Sequence, residues 1–261
     1  MNEIGYGVLR LSLVPMRANP SDASEMISQL LFGEHYMVLD ESEDKKWLKI
    51  KNAFDGYEGW IDKKQHHQIS KDYYHQIGET EYKICIDLVS KILFKQQINH
   101  VVAGSILPLL NNPIFKDEEN VAFNGTSKTL YQKWGVATIM NQANKYLNTP
   151  YLWGGRTPFG IDCSGFTQII YKTGGYNIPR DSSQQILKGK EVEFADRRAG
   201  DLAFFTNAEG KMNHVGLVME DGKIIHASGK VRIDLLDDKG IKNSEQNTYT
   251  HHFYKLKRII T

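Results

Sequence analysis

The feature that most constrains the fold is a glycine-rich stretch at residues 151–166 that turns into a helical pattern. Three glycines and a proline fall between residues 154 and 160, which disfavours regular structure and lets the backbone approach a neighbour closely. From Asp162 onward, apolar residues recur at helical spacing until the glycine pair at 174–175. Cys163 is therefore predicted at a helix N-terminus, on the face that points inward.

A cysteine at a helix N-terminus has a chemical consequence. Unpaired N–H groups and the positive end of the helix dipole stabilise a thiolate, which is the nucleophilic form of cysteine. A buried core cysteine is the usual interpretation of an isolated one. The glycine-rich approach and two histidines farther along the chain favour a nucleophile for Cys163 instead.

Composition narrows the class of protein. The chain has 261 residues, so two or three domains are expected. Its net charge of +1 gives no support for nucleic-acid binding, and no apolar run is long enough for a membrane span. Two cysteines are too few for a disulfide framework, and Cys85 lies in an apolar run typical of inert core.

The N-terminal residues bear on localisation. The partly apolar segment at residues 8–16 is interrupted by Arg10, and no small-residue cleavage site follows it. We therefore expect a cytoplasmic protein, or a protein of the cell envelope if a signal peptide has been removed.

Residues 1–65 read as short strands separated by turns, with one strand across residues 8–14 and a hairpin turn at residues 55–56. Five such strands predict a small β-barrel. Residues 24–31 interrupt this pattern and are predicted to form a short helical or looped insertion. Glu25 lies there, and its plainest interpretation is a solvated acid.

Residues 66–129 are less regular. Adjacent histidines at 66 and 67 point in different directions and have no further ligand at suitable spacing, so no metal site is predicted. The segment 84–93 fits a helix or a strand, and 101–109 fits a strand with a turn inside it. We interpret the region as a second, divergent domain of the same kind as residues 1–65. We place the boundary to the next domain near Leu130.

The remaining residues predict an α+β domain. Apolar residues between 136 and 147 keep helical spacing, and a loop at 177–181 enters a short helix that Asp181 or Ser182 could cap. Strands follow to the C-terminus. Helices followed by an antiparallel sheet are typical of this class.

Two histidines lie on consecutive predicted strands. A two-residue loop between the strands would send His214 and His226 to opposite faces of the sheet. A three-residue loop at 220–222, with Gly222 in the left-handed region, pairs Gly216 with His226 and puts both histidines on one face. The sequence favours the second arrangement. Cys163, His214 and His226 would then supply a nucleophile, a base and a group that orients the base.

The C-terminal half resembles the NlpC/P60 family of papain-like cysteine peptidases, over roughly residues 130–261. The matching segments are Tyr-Leu-Trp-Gly-Gly at 151–155, Asp-Cys-Ser-Gly-Phe at 162–166, Arg-Ala-Gly-Asp-Leu-Ala-Phe-Phe at 198–205, His-Val-Gly at 214–216 and Ile-His-Ala at 225–227. Ala199 stands where the family usually has proline. Residues 1–65 resemble a bacterial SH3-like domain, on segments that include Trp-Leu-Lys-Ile at 47–50 and Gly-Tyr-Glu-Gly-Trp-Ile at 56–61.

The SH3-like region and the Pro-Arg-Asp-Ser segment at 179–182 narrow the resemblance to γ-D-glutamyl-L-diamino acid endopeptidases of the dipeptidyl-peptidase VI type. The resemblance implies an SH3-like domain at 1–65, a second at 66–129 and a peptidase domain at 130–261. It implies no cofactor, and a substrate that is a cell-wall muropeptide with a free N-terminal L-Ala.

The same resemblance implies roles for individual residues. Cys163 attacks the γ-D-glutamyl carbonyl, His214 moves the proton and His226 orients His214. The remaining expected site residues contact substrate. Tyr151 is expected at the oxyanion, Asp181, Glu25 and Tyr57 at the ammonium group of L-Ala, and Ser164 and Ser182 are expected to bind substrate as well.

Two other functions stay open at the level of sequence. One is a non-catalytic wall-binding protein whose peptidase domain is inactive, which the intact Cys163, His214 and His226 disfavour. The other is a papain-like acyltransferase or amidase, which should have an apolar acyl groove. The sequence does not distinguish diaminopimelate from lysine in the substrate, nor does it give the oligomeric state.

Overall fold

The protein forms two compact units, residues 1–132 and 133–261. The computed structural model describes residues 3–79, 81–108, 121–207 and 209–260. The boundary expected near Leu130 lies close to the division between the units. No helix in these described ranges has both the length and the apolar character needed to cross a bilayer.

The first unit begins with a seven-stranded antiparallel sheet in the order β3-β2-β6-β5-β4-β1-β7. Its strands are β1 (Gly5–Val8), β2 (Leu13–Arg17), β3 (Met26–Leu31), β4 (His35–Glu41), β5 (Trp47–Asn52), β6 (Glu58–Asp62) and β7 (Gln68–Ile69). The hairpin turn between β5 and β6 is where it was predicted, and Gly56 there has a φ of +72°. An apolar core that includes Val14, Leu30 and Ile50 lies within this sheet.

Two sequence predictions in this sheet are wrong. Residues 24–31 are not a helical or looped insertion, because Met26–Leu31 is strand β3 and pairs with β2. Residues 8–14 are not one strand: Val8 ends β1 and Leu13 begins β2. The chain bends between them at residues 11–12, and the guanidinium of the preceding Arg10 lies over the ring of Phe94 at 5.2 Å.

The rest of the first unit contains one helix, α1 (Lys71–Glu79), and two three-stranded sheets in its described part, ordered β10-β9-β12 and β11-β8-β13. The strands are β8 (Lys83–Cys85), β9 (Val89–Phe94), β10 (Gln97–Val102), β11 (Ile106–Leu107), β12 (Ala122–Asn124) and β13 (Ser127–Thr129). The ambiguous segment 84–93 thus contains parts of the strands β8 and β9, with a bend between them, and no helix. The second SH3-like domain stays a prediction, and the end of the segment 101–109 lies outside the described residues.

The second unit places its helices before most of its strands. The helices are α2 (Val136–Asn144), α3 (Cys163–Thr173) and α4 (Ser182–Gln185), and the strands are β14 (Arg156–Thr157), β15 (Gly160–Ile161), β16 (Lys190–Val192), β17 (Leu202–Thr206), β18 (Met212–Val218), β19 (Lys223–Ser228), β20 (Lys230–Asp237), β21 (Gly240–Lys242) and β22 (Tyr249–Arg258). Strands β16 to β22 form one antiparallel sheet in the order β16-β22-β17-β18-β19-β20-β21. Because β21 also pairs with β22, the sheet closes on itself.

Helix α3 is the central element of the second unit, and all of its residues are buried. It packs against β18 and β19. The glycines that precede it allow this: a Cβ on Gly155 would lie 2.4 Å from the carbonyl oxygen of Gly160, and a Cβ on Gly165 would lie 2.3 Å from that of Gly155. The close backbone approach expected from the glycine-rich stretch is therefore an approach to the N-terminus of α3.

The hairpin between β18 and β19 has the predicted register. Gly216 pairs with His226, and the loop at residues 220–222 has Asp221 and Gly222 at φ values of +56° and +64°. A Cβ on Gly216 would lie 2.8 Å from the Cβ of His226. Only glycine fits this position without displacing its neighbours.

The substitution Gly216→Ala should therefore destabilise the second unit. Overpacking of a tight site costs about 1–3 kcal/mol. We expect a loss of this size in the free energy of unfolding, measured by urea denaturation. Gly78→Ala is the matched control, since a Cβ there meets nothing within 4 Å. Equal stability of Gly216→Ala and the unsubstituted protein would contradict the packing described.

Candidate active site

Asp162 fixes the N-terminus of α3. It is the N-cap residue, and its Oδ1 accepts a hydrogen bond of 2.6 Å from the backbone N–H of Gly165. Its Oδ2 accepts a hydrogen bond of 2.8 Å from the backbone N–H of Gly154 in the glycine-rich stretch. One carboxylate thus holds both the helix that begins with Cys163 and the loop that precedes it.

Arg180 joins a second loop to the same carboxylate. Its Nη1 and Nη2 donate to Oδ1 and Oδ2 of Asp162 at 3.0 and 2.5 Å, and its side chain is 1% exposed. Arg180 Nη1 also donates to Ser164 Oγ at 2.8 Å. Gln185 adds two further bonds of 2.9 Å, from its Nε2 to the carbonyl oxygens of Ser164 and Pro179. The loop that carries Asp181 is therefore tied to the N-terminal turn of α3.

Cys163 is 7% exposed and sits where α3 meets β18. Burial, together with the charge of Asp162, raises the pKa of its thiol to about 12, although hydrogen bonds from the backbones of Val215 and Ser164 and the charge of Arg180 act in the opposite direction. The start of the helix does favour the thiolate, through the backbone of Ser164, as expected. Desolvation outweighs it, and the resting residue is a neutral thiol that needs a base.

The backbone of Val215 donates a hydrogen bond to the Cys163 thiol, and His214 is the residue that precedes Val215 on β18. His214 Nε2 lies 2.8 Å from His226 Nδ1, and His226 Nε2 lies 3.0 Å from Asp234 Oδ2. The His214 and His226 rings meet edge-on at 85°. The sequence-predicted nucleophile, base and orienting residue therefore come together, and Asp234 extends the row.

A third histidine lies against the base. The ring of His251 on β22 stacks on that of His214, with centroids 4.1 Å apart and planes 26° from parallel. Burial, with contributions from His226 and His251, lowers the pKa of His214 well below its usual value. The pKa of His226 is lowered by burial, although Asp234 opposes this. The pKa of His251 falls to about 4 through burial and the nearby His226. All three imidazoles are therefore neutral near pH 7 and able to accept a proton.

Tyr151 faces the nucleophile from the glycine-rich stretch. It is half-buried, and its backbone N–H donates to the carbonyl oxygen of Gly229 at 2.9 Å. Burial raises the pKa of its hydroxyl, and the neighbouring Cys163 raises it further. The phenol is therefore protonated and can donate a hydrogen bond near the sulfur.

The other expected substrate-binding residues have different environments. Ser164 Oγ is committed to Arg180 and to Asp162, at 2.8 and 3.3 Å. Asp181 is the N-cap residue of α4 but makes no side-chain cap hydrogen bond, so the capping role considered for it is absent. Ser182 is the first residue of α4 and is half-buried, as is Asp181.

Glu25 and Tyr57 belong to the first unit. Glu25 is exposed just before β3, and its carbonyl oxygen accepts a 2.9 Å hydrogen bond from the backbone N–H of Ala18. Tyr57 is half-buried, packs against the core of the first sheet and precedes β6. Their contribution to substrate binding stays a prediction.

Sequence analysis missed three residues of the site: Arg180, Asp234 and His251. A signal for Asp234 was present. His226 pairs with Arg232 across the β19–β20 hairpin, and Asp234, two residues after Arg232, lies on the same face of the sheet as both. Arg180 lay within the Pro-Arg-Asp-Ser segment without a stated role. His251 had no local signal, since it reaches the site from the strand that closes the sheet.

The arrangement is suited to acyl transfer by a thiol. A nucleophile, a neutral base beside it and a group that orients the base are the components that such chemistry requires. In the described ranges of the chain, no group of three or more His, Cys, Asp and Glu side chains is placed to hold a metal ion.

The buried histidines predict how stability depends on pH. A histidine whose pKa is lower in the folded state than its unfolded value of about 6.5 stabilises the fold above that pH, and this contribution is lost as pH falls below it. The loss approaches about 1.4 kcal/mol per pH unit for each such histidine. His251 faces His214 and His226, with Asp234 and His252 also contributing to its electrostatic environment.

We therefore expect the free energy of unfolding to fall between pH 6.5 and pH 5, and to fall less steeply in His251→Phe, which keeps a ring but cannot titrate. Urea denaturation at several pH values measures both slopes. Identical slopes for the two proteins would contradict a neutral, buried His251.

Comparison with known proteins agrees with this geometry. The model of the NlpC/P60 family matches residues 148–254, and the model of the bacterial dipeptidyl-peptidase Sh3 domain matches residues 16–65. A crystal structure of an NlpC/P60 family protein from Bacillus cereus superposes with a TM-score of 0.79 at 21% identity, covering 98% of this chain and 100% of that one. This likeness shows a shared fold.

Two relatives match most of the sequence. A γ-D-glutamyl-L-lysine dipeptidyl-peptidase of Bacillus subtilis is 33% identical over 219 residues, which is 77% of this chain and 71% of the relative. A dipeptidyl-peptidase 6 of Lysinibacillus sphaericus is 27% identical over 261 residues, which is 85% of this chain and 88% of the relative. With the Cys163, His214 and His226 arrangement in place, the chain belongs to the NlpC/P60 family of cysteine peptidases and carries an N-terminal bacterial SH3-like domain.

Proposed function

We propose that this peptidase hydrolyses the bond between γ-D-glutamate and an L-diamino acid in cell-wall muropeptides that carry a free N-terminal L-Ala. The substrate would be a short peptide released from peptidoglycan, and the role would be its recycling. The observation that carries the proposal is the attachment of the Asp181 loop to the first turn of the nucleophile helix through Arg180 and Asp162.

The names of the relatives support the same bond. The relative from Bacillus subtilis is named for γ-D-glutamyl-L-lysine, and it shares 33% identity over 77% of this chain. We extend its printed activity to this chain as a class, a γ-D-glutamyl bond followed by a diamino acid. Lysine and diaminopimelate are both L-diamino acids that fit this class.

Asp181 is our candidate for the residue that binds the substrate ammonium. It is half-buried at the start of α4, and its side chain is not used to cap that helix. A carboxylate close to the nucleophile would position a peptide by its free amine. A free amine can form a charge-assisted hydrogen bond with this carboxylate and an acetylated amine cannot, so peptides that lack the free amine should be rejected.

The proposed reaction proceeds through a thioester. The Cys163 thiol transfers its proton to His214 as the sulfur attacks the γ-carbonyl carbon of D-glutamate. The tetrahedral intermediate collapses when the protonated His214 gives that proton to the leaving amine of the diamino acid. A water molecule, deprotonated by His214, then hydrolyses the thioester and restores the thiol.

Tyr151 and the backbone at the start of α3 are the proposed oxyanion donors. The hydroxyl of Tyr151 is protonated, and it lies close enough to Cys163 for the sulfur to raise the pKa of the phenol. Each donor of this kind contributes a few kcal/mol to transition-state stabilisation.

Glu25 and Tyr57 of the SH3-like domain are proposed to recognise the substrate, as the family resemblance implies. That domain would then restrict the enzyme to short peptides with a free amine, rather than attach it to the wall. The variants Glu25→Gln and Tyr57→Phe test this, because each should weaken discrimination between free and blocked peptides and leave the chemical step intact.

The proposal predicts cleavage of L-Ala-γ-D-Glu-meso-diaminopimelate and of its L-lysine counterpart, and no cleavage of the same peptides with N-acetylated L-Ala. Cys163→Ala should abolish the reaction. Asp181→Asn should raise KM for the free peptides by about 10- to 100-fold, because hydrogen bonds to charged groups contribute about 1.5–3 kcal/mol. Product release measured by chromatography gives all of these values.

Asp238→Asn is the matched control for Asp181→Asn. Asp238 is exposed, and its substitution removes the same charge elsewhere in the second unit. Equal cleavage of free and acetylated peptides would support the peptidase activity but contradict the proposed ammonium subsite. Cleavage of neither peptide would contradict the proposed bond and favour the wall-binding or acyltransferase function.

A further inference from the structure

The row of groups behind Cys163 ends in a carboxylate whose described neighbours are all hydrogen-bond donors. Asp234 Oδ1 accepts from the backbone N–H of Ser244 at 2.8 Å and from Arg232 Nη2 at 3.1 Å. Asp234 Oδ2 lies 2.8 Å from Arg232 Nε and 3.0 Å from His226 Nε2. Asp234 is 1% exposed, so these protein groups rather than bulk water surround it.

This carboxylate decides which nitrogen of His226 carries the proton. An ionised carboxylate only accepts hydrogen bonds, so the His226 nitrogen that faces it, Nε2, must be the N–H. A neutral imidazole has one N–H, which leaves His226 Nδ1 with a lone pair. His226 Nδ1 lies 2.8 Å from His214 Nε2. In this tautomer of His226, Nδ1 can only accept a hydrogen bond, so His214 Nε2 must be the donor.

The same reasoning assigns the ring of His214. Its Nε2 carries the proton that is donated to His226, so its Nδ1 carries the lone pair. Nδ1 is also the ring nitrogen of His214 that takes no part in the contact with His226. It is therefore the atom left to receive the proton of the Cys163 thiol.

We propose that Asp234 is a positioning residue that sets the tautomers of His226 and His214, and so determines that His214 Nδ1 is the proton acceptor. The inference concerns the chemistry of the peptidase site and does not depend on which peptide is cleaved. It makes the catalytic row four residues long, from Cys163 through His214 and His226 to Asp234.

The ionisation of these groups is consistent with the assignment. Burial alone would raise the pKa of Asp234, but hydrogen bonds from His226, Ser244 and Arg232 hold it well below its usual range. Burial lowers the pKa of His226 and of His214. The carboxylate is thus charged and both imidazoles are neutral near pH 7, which is the state that the hydrogen-bond directions require.

Asparagine in place of Asp234 would reverse the directions of the hydrogen bonds between residue 234, His226 and His214. Its amide must present the oxygen to the fixed backbone N–H of Ser244, so the NH2 group faces His226. His226 would then accept at Nε2 and carry its proton on Nδ1. That proton would be donated to His214 Nε2, which moves the His214 proton to Nδ1 and blocks the base. Alanine instead removes the acceptor without imposing the wrong tautomer.

The first test reads the tautomers directly. Nitrogen-15 NMR of the enzyme without substrate at pH 7 should show His226 and His214 each protonated on Nε2 and unprotonated on Nδ1. The His226 signals are assigned by their loss in His226→Gln. A proton on His226 Nδ1 in the unsubstituted enzyme would overturn the proposal, whatever its substrate proves to be.

The second test compares kcat in two variants, with any peptide that the enzyme cleaves. Asp234→Asn should lower kcat by about 10³-fold or more, as expected when a base is held in the wrong tautomer, and leave KM nearly unchanged. Asp234→Ala should lower kcat less. A merely structural role predicts the opposite order, because asparagine matches the shape of aspartate and alanine leaves a cavity.

The exposed Asp238→Asn serves as the control for the change of charge and should retain full kcat. A larger loss in Asp234→Ala than in Asp234→Asn would overturn the assignment. If Asp234→Asn does not fold, the NMR measurement on the unsubstituted enzyme decides the question alone. Failure to cleave the proposed muropeptide would leave the NMR result unaffected, so the two proposals fail separately.

Discussion

The carboxylate of Asp162 is the interaction on which the rest of the site depends. It receives the backbone N–H of Gly165, the backbone N–H of Gly154 and both terminal nitrogens of Arg180. The helix that begins with Cys163, the glycine-rich loop before it and the loop that carries Asp181 therefore meet at one side chain. A buried ion pair is stable only when its remaining hydrogen-bonding groups are satisfied, and here backbone N–H groups complete it.

Burial sets the protonation states around this anchor. Burial raises the pKa of the Cys163 thiol to about 12 and lowers the pKa of the His214 imidazole. In the resting site, both groups are therefore neutral. In the reaction that we propose, the proton moves from the thiol to His214 as the sulfur attacks. Accurate placement of His214 then matters more than a thiolate formed in advance. The closed sheet supplies that placement through β19, β20 and β22, which carry His226, Asp234 and His251.

Local patterns in the sequence predicted the elements that depend on local physics. Helical spacing after Asp162 located α3, and the three-residue loop at 220–222 predicted the pairing of Gly216 with His226. The register follows from loop length, and glycine opposite His226 follows from the space available. These residues account for the nucleophile, the base and the orienting residue of the predicted site.

Contacts between segments that are distant in sequence could not be predicted from local sequence patterns. Residues 24–31 lack clear alternation, and residues 26–31 among them form β3 because pairing with β2 buries Leu30 and Leu31. Arg180 could not be assigned without knowing that its loop returns to Asp162. The pKa of Cys163 depends on total burial, which a helix terminus does not reveal.

The most direct test of this account is a double-mutant cycle on the free energy of unfolding, using Asp162→Asn, Arg180→Gln and the double variant. Removing one partner of a buried ion pair costs about 3–5 kcal/mol, because the other charge is left uncompensated. The account predicts that the double variant loses less than the sum of the two single losses, by more than about 1 kcal/mol. Losses that add to within about 0.5 kcal/mol would show that the two side chains act independently, and would contradict the role of Asp162 as the shared anchor.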